Sequence, residues 1–258
     1  MTRSFRLRRA VIAVAAPAIL LAACGSSSGT TLNGSGSTFQ QTFDQTAIQA
    51  FENQNSGVTI NYAGGGSGKG KTDLQTRTVD FAGTDSLVKD SDLSKYQGGA
   101  ILYFPTVAAP ITVSYHLSGV DSLKLSASTI AKIFSGAVKK WDDPAIAADN
   151  RGVSLPATDI TIVHRADASG TTSNFTKYLD SAAKSDWPLG TGDTVNWPAA
   201  SQAGQGNSGV AQAVSKTDGA IGYVDFSDAL AAKLKFASIK NAAGQYLAPT
   251  LAGASAAV

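Results

Sequence analysis

The chain runs to 258 residues, with 21 Lys+Arg against 19 Asp+Glu and a formal net charge of +2. Four of those basic residues, Arg3, Arg6, Arg8 and Arg9, fall within the first 23 positions, which hold no acid; setting them aside leaves 17 against 19, a net of −2, for residues 24–258. That balance excludes an electrostatic footprint for nucleic acid, and a single cysteine, Cys24, excludes an intramolecular disulfide.

The basic start leads into an apolar run over residues 10–23, too short to span a bilayer comfortably. Leu21-Ala22-Ala23-Cys24 closes it, and Gly25-Ser26-Ser27-Ser28-Gly29 follows. This is the pattern of an export signal with a small-residue cleavage site, so residues 1–23 are expected to be a signal peptide. The tetrapeptide resembles a bacterial lipobox, which implies lipidation of Cys24 as the new N-terminus and anchoring to the cell membrane. Residues 24–32 read as a flexible tether. The remainder is longer than a typical single domain and suits two α/β lobes, 33–109 and 110–258.

After a glycine-rich turn over residues 34–39, residues 40–54 read as a helix with Phe43, Ala47, Ala50 and Phe51 on one face. Residues 58–62 alternate as a strand, 63–70 form a second glycine-rich turn, and 71–77 can begin a helix. A short buried strand is expected over 79–83. The apolar runs 101–104 and 111–115 flank a crossing kinked by Pro105 and Pro110. Further on, 129–134 is helical, Trp141-Asp142-Asp143-Pro144 is a structural turn, 160–163 is a strand, 173–179 and 210–215 are helical, and 219–224 is a buried strand. Strands and helices alternate throughout, which argues an α/β fold with mostly parallel pairing. Trp141, Trp187 and Trp197 sit in turn-like contexts and read as packing residues.

Three turns share one chemistry: Ser37-Thr38-Phe39, Gly66-Ser67-Gly68 and Ser169-Gly170-Thr171. Each is small, bears a hydroxyl and leads toward a helix. A helix N-terminus leaves backbone N–H groups unpaired and partially positive, a ready place for an oxyanion. In open α/β sheets such turns gather at the carboxyl ends of strands. Arg165 adds a fixed, forked positive charge just before the third turn, and Asp167 can hold it in place.

Gly-Ser-Gly-Ser-Thr-Phe (34–39), Gly-Gly-Gly-Ser-Gly (64–68), Val-Asp-Phe-Ala-Gly-Thr-Asp (79–85), Lys-Lys-Trp-Asp-Asp-Pro (139–144), Arg-Ala-Asp-Ala-Ser-Gly-Thr (165–171) and Gly-Ala-Ile-Gly-Tyr-Val (219–224) are ordered and spaced as in the phosphate-binding protein of bacterial ABC phosphate transporters. From residue 32 onward the chain resembles that family. The resemblance implies a two-lobed periplasmic-binding-protein fold with a hinge, inorganic phosphate held in the interlobe cleft and an ABC permease as partner. It implies phosphate contacts at Thr38, Phe39 (through its backbone N–H), Ser67, Asp85, Arg165, Ser169, Gly170 and Thr171, with Asp167 orienting the arginine. His164 stands where some members have a second arginine. The family's chains continue well past the point matching Val258, so the sequence is either a fragment or a member whose first lobe lacks its return segment.

A carboxylate in an anion site makes sense when the ion still carries a proton. Monobasic or dibasic phosphate can donate O–H to Asp85, whereas sulfate would set two buried anions against each other. The residues leave two other readings to weigh. Another oxyanion, such as sulfate, molybdate or an organic phosphate, is a rival ligand. Residues 65–72 also match the G-x-x-x-x-G-K-[ST] pattern of a nucleotide-hydrolysing P-loop, but the preceding strand is offset, and Lys69 and Lys71 read as a solvated helix start. A secreted hydrolase would need Ser169 with His164 or His116, and Ser169 does not stand in a G-x-S-x-G elbow. The expectation is therefore a monomeric, non-enzymatic receptor that needs no cofactor or metal.

Overall fold

The computed structural model describes residues 29–256; the expected signal peptide and the lipidation site Cys24 lie outside them. Strand β1 (Thr30–Gly36) is flanked by β2 (Val58–Gly64) and β3 (Phe81–Gly83) in a wholly parallel sheet of order β2-β1-β3. Helices α1 (Gln41–Gln54) and α2 (Ser67–Gln75) connect these strands. The tether expectation is corrected here, because Thr30, Thr31 and Leu32 already pair with Val58, Thr59 and Ile60.

The second lobe is built on a five-stranded sheet of order β7-β6-β8-β4-β9. Its strands are β4 (Ile111–His116), β6 (Thr161–Arg165), β7 (Gln202–Gly204), β8 (Ala220–Asp225) and β9 (Lys235–Phe236). β6 runs parallel to β7 and β8, while β4 is antiparallel to β8 and β9, so this sheet is mixed. A small sheet of β5 (Lys124–Leu125), β10 (Ser238–Lys240) and β11 (Tyr246–Leu247) lies beside it. The helices of this half are α3 (Ala127–Phe134), α4 (Pro144–Asp149), α5 (Gly170–Ala182), α6 (Gly206–Lys216), α7 (Phe226–Ala231) and α8 (Leu251–Ser255).

β8 is buried along its whole length, as expected of a strand covered on both faces. Its alternation sends Ile221 and Tyr223 into one apolar cluster, with Tyr115, Phe134, Trp141, Phe175 and Trp187. Ala220 and Val224 enter the other, with Val163, Val210 and Val214. Gly222 lets α6 lie close, since a Cβ there would meet Val214 Cγ2 at 2.8 Å and Val210 Cγ1 at 3.1 Å. The tryptophans are packing residues as expected. Trp141 is fully buried and donates Nε1–H to the Gly219 carbonyl at 3.0 Å, and Trp197 stacks on Tyr223.

One local expectation fails. The face of α1 turned inward is Gln41, Asp44, Ile48 and Glu52, while Phe43 and Phe51 are each 46% exposed. Polar contacts set that choice: Glu52 Oε1 accepts the Ile60 N–H at 2.6 Å, and Gln40 Nε2 donates to Asp44 at 2.8 Å. Residues 101–104 form no strand, and Leu102 and Phe104 stand 73% and 78% exposed.

Candidate functional site

Six strand ends converge on one place. β1 ends before Ser37-Thr38-Phe39, β2 before Gly66-Ser67, β3 before Asp85, β6 at Arg165, β7 before Gly206-Asn207 and β8 at Asp225. These are all carboxyl ends, where open α/β sheets bind ligands. The helices that follow start earlier than their sequence pattern suggests: α2 begins at Ser67 and α5 at Gly170, with Ser169 as N-cap accepting from Thr172 N at 3.2 Å. The turn residues therefore belong to first helical turns, whose N–H groups have no partner within their helix.

Asp85 sits where the lobes meet. Ser67 Oγ donates to its Oδ2 at 3.3 Å and accepts from its backbone N–H at 3.2 Å, and Ser37 Oγ donates to its Oδ1. Asn174, on α5, donates to its carbonyl at 2.7 Å. Burial pushes the Asp85 carboxyl up, against the hydroxyls of Ser37 and Ser67 and the charge of Arg165.

Arg165 is 4% exposed and held from two sides. Nε donates to Asp167 Oδ1 at 2.9 Å and Nη2 donates to Asp167 Oδ2. Nη1 donates to Asn207 Oδ1 at 2.9 Å and reaches Thr171 Oγ1 at 3.4 Å. Burial raises the Asp167 carboxyl, but the bonds and charge of Arg165 and the Gly206 N–H outweigh it and hold the group below the ordinary carboxylate range. Thr38 and Phe39 close the site from the first lobe. Thr38 Oγ1 accepts from Asn207 N at 3.4 Å, and the Phe39 N–H points to Ser37 Oγ at 3.1 Å.

The geometry thus brings Thr38, Phe39, Ser67, Asp85, Arg165, Ser169, Gly170 and Thr171 together, with Asp167 behind the arginine. It can surround a small oxyanion with donors while offering it one carboxylate acceptor.

The family described as the PBP superfamily domain matches residues 22–257. The phosphate-binding protein PstS 3 of Mycobacterium leprae is 40% identical over 216 residues, which cover 83% of this chain and 58% of that protein. The phosphate-binding protein PstS 2 of Mycobacterium tuberculosis is 37% identical over 258 residues, covering 91% of this chain and 70% of that one. The chain belongs to the PstS phosphate-binding protein family. Among solved structures, a high-affinity periplasmic phosphate-binding protein (PfluDING) bound with phosphate superimposes with a TM-score of 0.72 at 27% identity, over 89% of this chain and 68% of that one. The chain spans less than two thirds of the length of the first of these relatives.

This PstS-family chain departs from the sequence expectations in its lysines and in the P-loop reading. Lys69 does pair at the surface with Asp73, but Lys71 is only 17% exposed and reaches across to the second lobe. It meets Asp193 Oδ2 at 2.6 Å and Ser86 Oγ at 2.9 Å, and Ser86 Oγ donates to Asp193 Oδ1 at 2.9 Å. Residues 67–72 are already helical and Lys71 is engaged, so the loop that a P-loop wraps around phosphates does not form. His164 and Ser169 are not a nucleophile–base pair either: His164 stacks on Trp197 with ring centroids 5.2 Å apart and its Nδ1 meets the Arg165 carbonyl, while Ser169 caps α5.

Ser37, Asp193, Asn207 and Asp225 belong to the site or its surround and were not among the expected residues. A signal existed for Asn207, because Gly204-Gln205-Gly206-Asn207-Ser208 is a fourth small, polar strand-to-helix turn.

Proposed function

We propose that this chain binds inorganic phosphate between its lobes, outside the cytoplasm, and hands it to an ABC permease without itself catalysing a reaction. The lobe boundary falls near residues 109 and 110, Cys24 carries the lipid anchor after removal of residues 1–23, and the receptor works as a monomer. The observation that carries the reading is the opposition of the Asp85 carboxylate to the Arg165 fork, with the first turns of α2 and α5 between them. A protonated tetrahedral anion satisfies both, accepting from the guanidinium and the helix N–H groups and donating to Asp85.

The experiment is a thermal-shift and calorimetric titration of the chain with phosphate, sulfate and molybdate. At 100 times its Kd a ligand adds about 2.7 kcal/mol of stability, which for a chain of this size raises Tm by roughly 5–10 °C. Phosphate is expected to do so and sulfate to leave Tm unchanged. An equal response to sulfate or molybdate favours the general oxyanion reading, and no response to any of them overturns the proposal.

Gly170 offers a second check. A Cβ at this position would lie 2.6 Å from Ser67 Oγ and 2.7 Å from Asp85 Cβ, so the lobes approach through the space a side chain would fill. Gly170→Ala is expected to weaken phosphate binding by about tenfold or more, since overpacking of this kind costs roughly 1–3 kcal/mol. Calorimetry of the variant reads it directly.

A further inference from the structure

We infer that Asn207 and Asp225 form a positioning relay behind Arg165, fixing which of its N–H groups face the bound ion. The inference rests on the phosphate reading above and names residues beyond the expected contact set. A guanidinium has five N–H donors. Asp167 takes Nε–H and one proton of Nη2, and Asn207 Oδ1 takes one proton of Nη1. Thr171 Oγ1 accepts the other Nη1 proton at 3.4 Å, which leaves one Nη2 proton unengaged; an anion that displaces this long Thr171 contact gains a second donor at the open end of the fork, the geometry that grips two oxygens of one anion.

Asn207 can serve only if its carbonyl, not its amide nitrogen, meets the arginine. Asp225 settles that orientation, because Asn207 Nδ2 donates to Asp225 Oδ2 and so turns Oδ1 toward Nη1. The reverse placement would set NH₂ against a guanidinium N–H. Asp225 is 2% exposed, at the end of β8. The groups that bear on it are Arg165 from β6, Thr171 from α5, Asn207 from α6, Asp228 from α7 and Asp85 beyond β3.

Burial, with the carboxylates of Asp85 and Asp228, pushes the Asp225 carboxyl well up, against the pull of Arg165 and the Thr171 hydroxyl. Through Oδ2, which accepts the Nδ2–H, it orients Asn207 from behind the Arg165–Asp167 pair. A group shifted this way contributes stability that is present at acidic pH and lost as pH rises through its folded pKa.

The test uses the full chain and four proteins: wild type, Asn207→Ala, Asp225→Asn and Asp225→Ala. Phosphate calorimetry at neutral pH is expected to show about a 10- to 100-fold loss for Asn207→Ala, the worth of one charge-assisted bond. A loss is also expected for Asp225→Ala, with affinity within about threefold of wild type for Asp225→Asn, whose amide oxygen still accepts from Asn207. Without ligand, ¹⁵N NMR of the Arg165 side chain is expected to show equally hindered Nη1 rotation in wild type and Asp225→Asn, and faster Nη1 rotation in Asn207→Ala, where Asp167 still holds Nε and Nη2. Asp225→Asn should also gain stability on wild type as pH rises, which reports the burial of this carboxyl, while the affinity and NMR comparisons report the relay. Wild-type affinity in Asn207→Ala, or as large a loss in Asp225→Asn as in Asp225→Ala, overturns the relay. If the wild type itself ignores phosphate, the function reading fails and the NMR comparison still decides the relay.

Discussion

Arg165→Ala is expected to reduce phosphate affinity by roughly 10²- to 10⁴-fold, more than any single hydroxyl deletion in the site. One Nη2 N–H of the fork is left for the anion once Asp167, Asn207 and Thr171 have taken theirs, and displacing the long Thr171 contact frees a second. Each charge-assisted bond is worth about 1.5–3 kcal/mol, and both are lost together. The deletion also strips Asp167, 8% exposed in its side chain, of its cation. A carboxylate left near the cleft without a partner repels the ligand as well as destabilising the fold. Arg165→Lys should recover only part of the loss, because an ammonium is a point charge without the fork. Removing the Thr171 hydroxyl is the control, expected to cost about 1 kcal/mol or somewhat more. Calorimetry of the three variants ranks them, and near-normal binding by Arg165→Ala would place the anion elsewhere.

Asp85→Asn is expected to change which ion is held more than how tightly phosphate is held. In the wild type the carboxylate receives the hydroxyls of Ser37 and Ser67 and has acceptor capacity left for a proton on the ligand. Sulfate brings no such proton, and facing two buried anions costs several kcal/mol, about 10³-fold or more in affinity. An asparagine replaces that repulsion with an N–H donor. Phosphate binding then falls modestly, since one bond is lost and a neutral one can replace it, while sulfate binding rises. Paired titrations with both ions read the ratio, and unchanged selectivity would remove Asp85 from its assigned role.

Much of the site was legible because its chemistry is local in sequence. Arg165 and Asp167 are two residues apart at a strand end, and their pairing follows from spacing alone. The hydroxyl turns announce themselves by composition and by the helices they open. Asn207 was signalled only as part of a fourth small, polar turn; its role and that of Asp225 were not legible, since an amide carries no charge pattern and its partners lie 42 and 18 positions away. Ser37 was passed over because its neighbours Thr38 and Phe39 hold the motif, yet it is Ser37 that meets the carboxylate. The buried strand β8 declared itself by an unbroken run of small and apolar residues. Periodicity also mistook the inward face of α1, because Asp44 and Glu52 gain more from backbone and amide partners than Phe43 and Phe51 gain from the sheet.

The bridge from Lys71 to Ser86 and Asp193 reaches one of the proposed ion contacts, because the Asp193 carbonyl also accepts the Ser169 N–H at 2.9 Å. The two halves are thus tied by an ion pair that carries one of the pocket's own residues with it: a change at Lys71 or Asp193 is transmitted to the N-cap of α5 through the carbonyl that accepts the Ser169 N–H.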